Sequence, residues 1–270
     1  MHVLVTGATG GIGRGICEVL GRRESGLTLS VASSQSGEKL EALLQTLRGL
    51  GVQAHGVTGD VTQPEQARRI VQQAIEAGGD LDALVCVAGA SGPGKLADLP
   101  VEQWDLTFNL NARSVFLMAQ AAYESLKRTR GSVTAIASMS GLHPHPGYGA
   151  YSPAKAALIM LCRQMAQEWG PEGIRANTVC PGMIRTPLTE SVYQDADTTA
   201  RREALVPMGR IGRPEDIGHA VHYLIGQGVS PARLKTISYG KERPIQVCSD
   251  ETCYSQNRRA VTVLSAGLSG

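Results

Sequence analysis

Val3-Leu4-Val5 is a short apolar run that leads at once into Thr6-Gly7-Ala8-Thr9-Gly10-Gly11-Ile12-Gly13 and then into helical spacing at Ile16, Val19 and Leu20. A strand, a glycine turn and a helix in that order leave few architectures open. Glycines permit the tight turn and let backbone come close to a ligand. The helix that follows opens with N–H groups lacking intrahelical partners and with a partial positive charge, which suits a pyrophosphate. Because it directly follows a strand and opens a helix, the turn points to dinucleotide binding rather than to a plain loop.

The same alternation continues. Strand-like runs at 27–31, 52–57 and 83–87 are separated by amphipathic helical stretches at 38–50 and 64–77. Apolar strands joined by helices of ten or more residues imply right-handed crossovers, hence an α/β fold with a doubly wound parallel sheet and helices on both faces. Ligands of such sheets lie beyond the carboxyl ends of the strands. Those ends carry Ser33-Ser34, Gly59-Asp60-Val61 and Ala88-Gly89-Ala90. Asp60 suits a turn or helix-capping carboxylate as well as an adenine contact, and the two uses are compatible.

A long helical pattern at 101–128 holds Asn109 and Asn111. Asparagine competes for backbone hydrogen bonds inside a helix, so a local kink or a buried polar network is expected there. A further strand at 132–137 ends at Ser138, and a loop rich in Gly, Pro and His, including His143 and His145, leads to a helix at 152–169. Ser152 is its expected cap, and Pro153 is tolerable in a first turn. Tyr151 and Lys155 are four positions apart, one helical turn from each other on one face. A cation beside a phenol favours the phenolate and lowers its pKa, which makes the tyrosine a usable general acid or base.

After a strand at 174–180 come Pro181-Gly182-Met183-Ile184-Arg185-Thr186-Pro187 and a polar, weakly patterned stretch at 188–207. About 20 residues is long for a neutral connection, so a substrate lid is expected, followed by an amphipathic helix at 214–225. The 270 residues, 42% hydrophobic and 19% charged, suit one ordinary globular domain with a small appendage. A net charge of +2 without long runs of one sign argues against a nucleic-acid partner. The start of the chain lacks a leader pattern, no apolar run spans a membrane, and the six cysteines sit mostly in apolar runs. A cytoplasmic protein with no membrane contact is expected, with no metal at its site.

Taken together these residues resemble the short-chain dehydrogenase/reductases over about residues 2–225, with the motifs in that family's order. Thr6-Gly7 with Gly11, Ile12 and Gly13 is similar to its cofactor glycine motif, Asp60-Val61 to its adenine-side motif, and Asn111 to its helix asparagine. Ser138, Tyr151 and Lys155 resemble its catalytic serine, tyrosine and lysine, with the expected thirteen-residue step from Ser138 to Tyr151. Pro181-Gly182, Ile184 and Thr186 resemble its nicotinamide-side turn. The resemblance implies a Rossmann-type sheet and hydride transfer between a nicotinamide cofactor and a small-molecule carbonyl or secondary alcohol, 3-oxoacyl thioesters among them. It implies that Tyr151 protonates the forming alkoxide, that Ser138 hydrogen-bonds the same oxygen, and that Lys155 lowers the tyrosine pKa and holds the nicotinamide ribose. Asn111 would support a water. A homo-oligomer, dimer or tetramer, is implied as well. Ser33, Ser34, Ala88 and Gly89 are the remaining candidate cofactor contacts. The missing acid after the second strand favours NADP over NAD, although Gly10 stands where a basic residue is common and Arg14 is the nearest substitute.

Two departures stand out. Val87-Ala88-Gly89 replaces the family's Asn-Ala-Gly, removing an amide that braces the sheet, so local destabilisation is expected. The carboxyl end, 226–270, lacks the family's last strand and glycine-rich tail. Ile237–Glu242 and Tyr254–Val261 resemble instead the last third of a peptidoglycan-associated lipoprotein domain. The expected division is therefore a dehydrogenase domain at 1–225 and an atypical extension at 226–270. Its strand-like pieces, 235–238 and 260–264, are candidates for the vacated sheet edge. A catalytically impaired cofactor-binding protein is the alternative.

Overall fold

The computed structural model describes residues 1–226, 234–239 and 259–264. Contacts divide the chain into two units, Met1–Gly228 and Val229–Gly270. In the first, strands β1 (His2–Thr6), β2 (Thr28–Ser33), β3 (Gln53–Thr58), β4 (Ala83–Cys86), β5 (Ser132–Ile136) and β6 (Arg175–Val179) form one parallel sheet in the order β3-β2-β1-β4-β5-β6. The strand order reverses between β1 and β4, which creates a crevice at their carboxyl ends.

Alternation along β1 divides the core. Leu4 packs on one face with Leu84, Ile70, Met118, Leu126, Val133 and Leu158; Val3 and Val5 pack on the other with Ile16, Leu20, Leu43, Leu47, Val85 and Val221. Side chains of successive strand residues point to opposite faces, so a central strand must be apolar throughout. The first face carries helices α3 (Pro64–Gly78), α5 (Ser114–Thr129) and α6 (Tyr151–Trp169); the second carries α1 (Gly11–Arg23), α2 (Glu38–Gly49) and α8 (Pro214–Gly226). Helix α4 (Val101–Phe108) precedes α5, and α7 (Ala196–Ala204) lies between β6 and α8. Among the described residues no helix is long and apolar enough to cross a membrane.

The helical stretch expected at 101–128 is present but not uniform. A π-turn, Asn109–Arg113, separates α4 from α5. Such turns add a residue to the ring of backbone hydrogen bonds and gather at functional sites. The stretch at 188–207, expected to be irregular, contains a short 3₁₀ turn, Glu190–Tyr193, and α7. Asp195 caps α7 by accepting from the Thr198 N–H at 3.1 Å, and the Arg185 and Arg202 guanidinium carbons lie 5.8 and 5.6 Å from the centroid of the buried Tyr193 ring. The Asp195 cap is a local signal, whereas the packing of Tyr193 draws on Arg185 before it and Arg202 after it, which the spacing of polar residues conceals.

Ser152 does not cap α6. Ala150 holds the N-cap position, and the Ser152 hydroxyl accepts the His145 N–H at 3.2 Å, tying the preceding loop to the helix. In the second unit, β7 (Leu234–Tyr239) and β8 (Arg259–Leu264) pair antiparallel with each other in a two-stranded sheet of their own. Pairing the two strands satisfies the backbone groups along the edge they share. Cys17, Cys86 and Cys162 are buried free thiols and Cys180 is half-buried, while Cys248 and Cys253 lie outside the described residues.

Candidate active site

The crevice is framed first by the turn between β1 and α1. Gly7 has φ +63°, and a Cβ there would stand 2.7 Å from the Ala88 nitrogen, so both conformation and space demand glycine. Gly13 is likewise packed against the Gly7 carbonyl. Thr6, for which the sequence suggested no separate role, joins the ends of β1 and β4: its hydroxyl accepts the N–H of Val87 at 3.2 Å and of Ala88 at 3.4 Å. The only local signal was a hydroxyl residue at a strand end. Val87 itself packs against the core, so the segment lacking the family's amide is held by Thr6 and by apolar contact.

Helix α1 begins after Gly10 without a side-chain cap and without an acidic residue in its first turn, which leaves its initial N–H groups open toward the crevice. Ile12 is half-buried against the core. Gly11 faces Thr186, whose Cβ lies 2.8 Å from where a Cβ on Gly11 would be. The turn at 181–187 and the glycine turn therefore meet. In the former, the Thr189 hydroxyl accepts the Thr186 N–H at 2.9 Å and donates to the Ile184 carbonyl at 3.0 Å, while the Pro181 carbonyl accepts the Met139 N–H at 2.9 Å. Gly182 is exposed beside Met139.

On the other side of β1, Ser33 is buried and hydrogen-bonded to the Thr9 hydroxyl at 3.3 Å, whereas Ser34 is exposed. Asp60 forms a turn: its Oδ1 accepts the N–H of Thr62 at 2.8 Å and the Thr62 hydroxyl at 2.7 Å. Val61 beside it is buried. The turn use of Asp60 is thus realised, whereas the N-cap of α3 falls to Gln63, which makes no side-chain cap. Arg14, the substitute cation, is engaged by Glu18 at 2.8 Å.

Toward β5, Ser138 is extended and caps the 3₁₀ turn Met139–Gly141, its hydroxyl accepting the Ser140 N–H at 3.1 Å. Tyr151 opens α6, and one turn on, Lys155 lies buried with its Nζ donating to the Ile136 carbonyl at 2.9 Å and 5.7 Å from the Tyr151 ring centroid. The electrostatic balance differs from the expectation of a phenol lowered by a cation. Burial raises the Tyr151 pKa, the hydrogen bond with Ser138 lowers it, and Tyr148 adds to the rise, with a net upward direction. Burial also pushes the Lys155 ammonium down to about 8, with Cys180 acting weakly the other way. Both groups lose more hydration than their proximity returns.

Asn111 lies in the π-turn and is buried. Its Nδ2 donates to the carbonyls of Ala90 at 2.9 Å and Thr107 at 3.0 Å, while Oδ1 is a buried acceptor without a partner among the described residues. A Cβ on Gly89 would lie 2.8 Å from that oxygen and 3.3 Å from Lys155 Nζ. Gly89, Asn111 and Lys155 thus meet at one point, far apart in sequence. His145 and Tyr148 stack with centroids 3.9 Å apart, and Tyr148 tilts toward Tyr151 at 6.3 Å.

These features fit a nicotinamide dinucleotide. An uncapped helix start faces a glycine turn with no room for a side chain at Gly7, and an unpartnered buried acceptor stands beside a lysine with donors to spare. A parallel sheet with this crevice, and a tyrosine, lysine and serine beyond its central strands, define a Rossmann-type oxidoreductase.

Residues 7–232 match the family model described as enoyl-(acyl carrier protein) reductase. The chain is 33% identical over 224 residues to an L-rhamnose 1-dehydrogenase (NAD(P)(+)) of Sphingomonas, covering 82% of this chain and 87% of that protein. It is 31% identical over 222 residues to a 3-oxoacyl-[acyl-carrier-protein] reductase of Thermotoga maritima, covering 82% and 88%. Its structure superposes with a TM-score of 0.77 on a short-chain type dehydrogenase/reductase from Mycobacterium ulcerans (27% identity; 85% and 84% covered), and of 0.79 on a single-substitution variant of the actinorhodin polyketide ketoreductase with NADPH (34% identity; 85% and 91% covered). The chain belongs to the short-chain dehydrogenase/reductase family and is an NAD(P)-dependent oxidoreductase.

Proposed function

We propose that this enzyme is an NADP-preferring carbonyl reductase with Tyr151 as general acid, supported above all by the half-buried Tyr151 beside Ser138 with Lys155 one turn on. When bound, the nicotinamide supplies the hydride. Tyr151, kept protonated near neutrality, donates its proton to the oxygen that gains charge. Ser138 donates a hydrogen bond to the same oxygen, where the charge develops. Lys155 holds the nicotinamide ribose with donors not used by Ile136, and Asn111 Oδ1 accepts from a water that links Lys155 to solvent. Gly7, Gly11, Ile12, Gly13, Ala88 and Gly89 make room for the dinucleotide. Ser33, Ser34, Asp60 and Val61 take its adenosine end, and Pro181, Gly182, Ile184 and Thr186 its nicotinamide end.

Likeness to the Thermotoga protein supports 3-oxoacyl thioesters as the substrate class, and the NADPH of the ketoreductase structure supports NADP. Exposed Leu106, Phe116 and Met160 on α4, α5 and α6 support a homo-oligomeric contact. The near-neutral charge and free buried cysteines support a cytoplasmic setting. We read 1–225 as the dehydrogenase domain and 226–270 as an extension similar in part to a peptidoglycan-associated lipoprotein domain. The impaired-binder alternative is not favoured, because every assigned site residue belongs to the Met1–Gly228 unit. An NAD(P)H oxidation screen over ketones, sugars and 3-oxoacyl thioesters tests the reading: turnover of a carbonyl that Tyr151→Phe abolishes is expected. No turnover across the panel despite cofactor binding would restore the alternative.

A further inference from the structure

Beyond the carboxyl ends of β2 and β3 lies an open cavity of about 460 Å³, mostly polar, bounded by Ser34, Gln35 and Ser36, by the end of β3, and by Gln66 and Arg69 of α3. No acidic residue lines it. The Gln66 Oε1 accepts the Asp60 N–H at 2.9 Å, which fixes the amide and leaves its NH₂ as a donor. Adjacent arginines on α3 differ in their surroundings. Arg68 pairs with Glu65, whereas the ion pairs of the described residues leave Arg69 out. A solitary exposed arginine means little by itself; one that borders a cavity of hydroxyl and amide donors without any carboxylate belongs to an anion-binding set.

The end of β2 is where the adenosine ribose of a dinucleotide lies in such a sheet, and an acid there would repel a 2′-phosphate. Here that end carries Ser34 and Ser36, and Arg14 is occupied by Glu18. We propose that Arg69, reaching across from α3, is the cation that receives the 2′-phosphate of NADP, with Ser34 and Ser36 as its hydroxyl partners. The cation absent from the glycine turn is thereby supplied from an unexpected element. This assignment rests on the NADP reading above.

Titrations of NADPH, NADH, 2′,5′-ADP and 5′-AMP into the wild-type protein and into Arg69→Gln and Arg69→Lys test it, read by calorimetry. Wild type is expected to prefer the 2′-phosphorylated member of each pair. Arg69→Gln is expected to bind NADPH and 2′,5′-ADP at least about tenfold more weakly, as fits the loss of a charge-assisted hydrogen bond, with NADH and 5′-AMP unchanged and with partial rescue in Arg69→Lys. A wild-type preference for NADPH that Arg69→Gln leaves intact overturns the role of Arg69 and leaves the NADP reading standing. Equal weakening of both members of each pair overturns it too, because Arg69 would then hold the adenosine regardless of its phosphate. Wild-type binding of NADH as tight as NADPH overturns the NADP reading and this assignment with it. Unchanged circular dichroism in both variants separates these results from misfolding.

Discussion

Lys155 Nζ lies 5.7 Å from the Tyr151 ring centroid and is anchored to the Ile136 carbonyl, so a buried ammonium flanks a half-buried phenol at the end of β5. Neither group is comfortable there, since burial raises the pKa of one and lowers that of the other. Tyr151 consequently remains in its proton-donating form through neutrality. Replacing it by phenylalanine should preserve the fold and dinucleotide binding and reduce kcat by about 10²–10⁴-fold, the usual weight of general acid catalysis. Steady-state NAD(P)H oxidation beside calorimetric cofactor titration measures both halves; wild-type kcat in the variant would remove the assignment.

For Lys155 the folded pKa, about 8, lies below its ordinary 10.5. Below pH 8 the ammonium is present in both folded and unfolded chains, and the folded one bears its full desolvation. That penalty fades as pH rises from about 8 to 10.5, where the folded state is neutral and the unfolded chain still charged. Lys155→Met should therefore be more stable than wild type at pH 7, by on the order of 1–3 kcal/mol, with the advantage shrinking across that window. Its activity should be lost. Chemical denaturation at pH 7 and pH 10 tests the first claim. In the wild-type free enzyme, kcat/KM should fall above about pH 8 as Lys155 loses its proton.

His2 opens β1, buried, with Nε2 against the Ser30 hydroxyl at 2.9 Å and Nδ1 against the Gly79 carbonyl at 2.9 Å. Burial lowers its pKa below 6.5, outweighing the backbone contact with Gly79 that raises it. Below pH 6.5 the unfolded chain takes up a proton that the folded one refuses, so stability declines as pH falls toward the folded pKa, with a slope of at most about 1.4 kcal/mol per pH unit. His2→Gln should flatten that decline between pH 7 and pH 5. Melting curves that remain parallel for the two proteins would contradict it.

Thr6 ties β1 to β4 where the family's bracing amide is missing. Thr6→Val conserves shape and removes the acceptor of two N–H groups, so a loss of about 1–3 kcal/mol is expected, together with weaker dinucleotide binding because Ala88 loses its anchor. Denaturant titration and cofactor affinity measure these. Thr6→Ser, which retains the hydroxyl, should recover most of both.

Reading the residues in order was enough for the parallel sheet, because the centres of β1 and β4 are apolar on both faces and the intervening helices are apolar on one. The places of Tyr151, Lys155, Ser138 and the glycine turn in the fold were likewise legible, since a helical turn or a strand end sets each relative to its own element. Other features were not. The cap of α6 belongs to Ala150 and not Ser152, because His145 claims the serine hydroxyl from a loop packed against the helix start. Helix α7 was not legible because its mostly polar residues give a weak apolar pattern, and the Tyr193 packing that orders its approach draws on Arg185 and Arg202 and on a Thr199 hydroxyl that donates to the Tyr193 carbonyl.

Local sequence by itself determined the elements and which residues each presents at its end, through hydrophobic period, glycine turns and strand length. Tertiary structure alone decided how those residues act on one another. Burial reversed the expected direction for Tyr151, the π-turn brought Asn111 to Gly89 and Lys155, and α3 carried Arg69 to the end of β2. Hydration lost on packing and distances between elements remote in sequence govern these effects, and neither is written in the spacing of residues along one helix or strand.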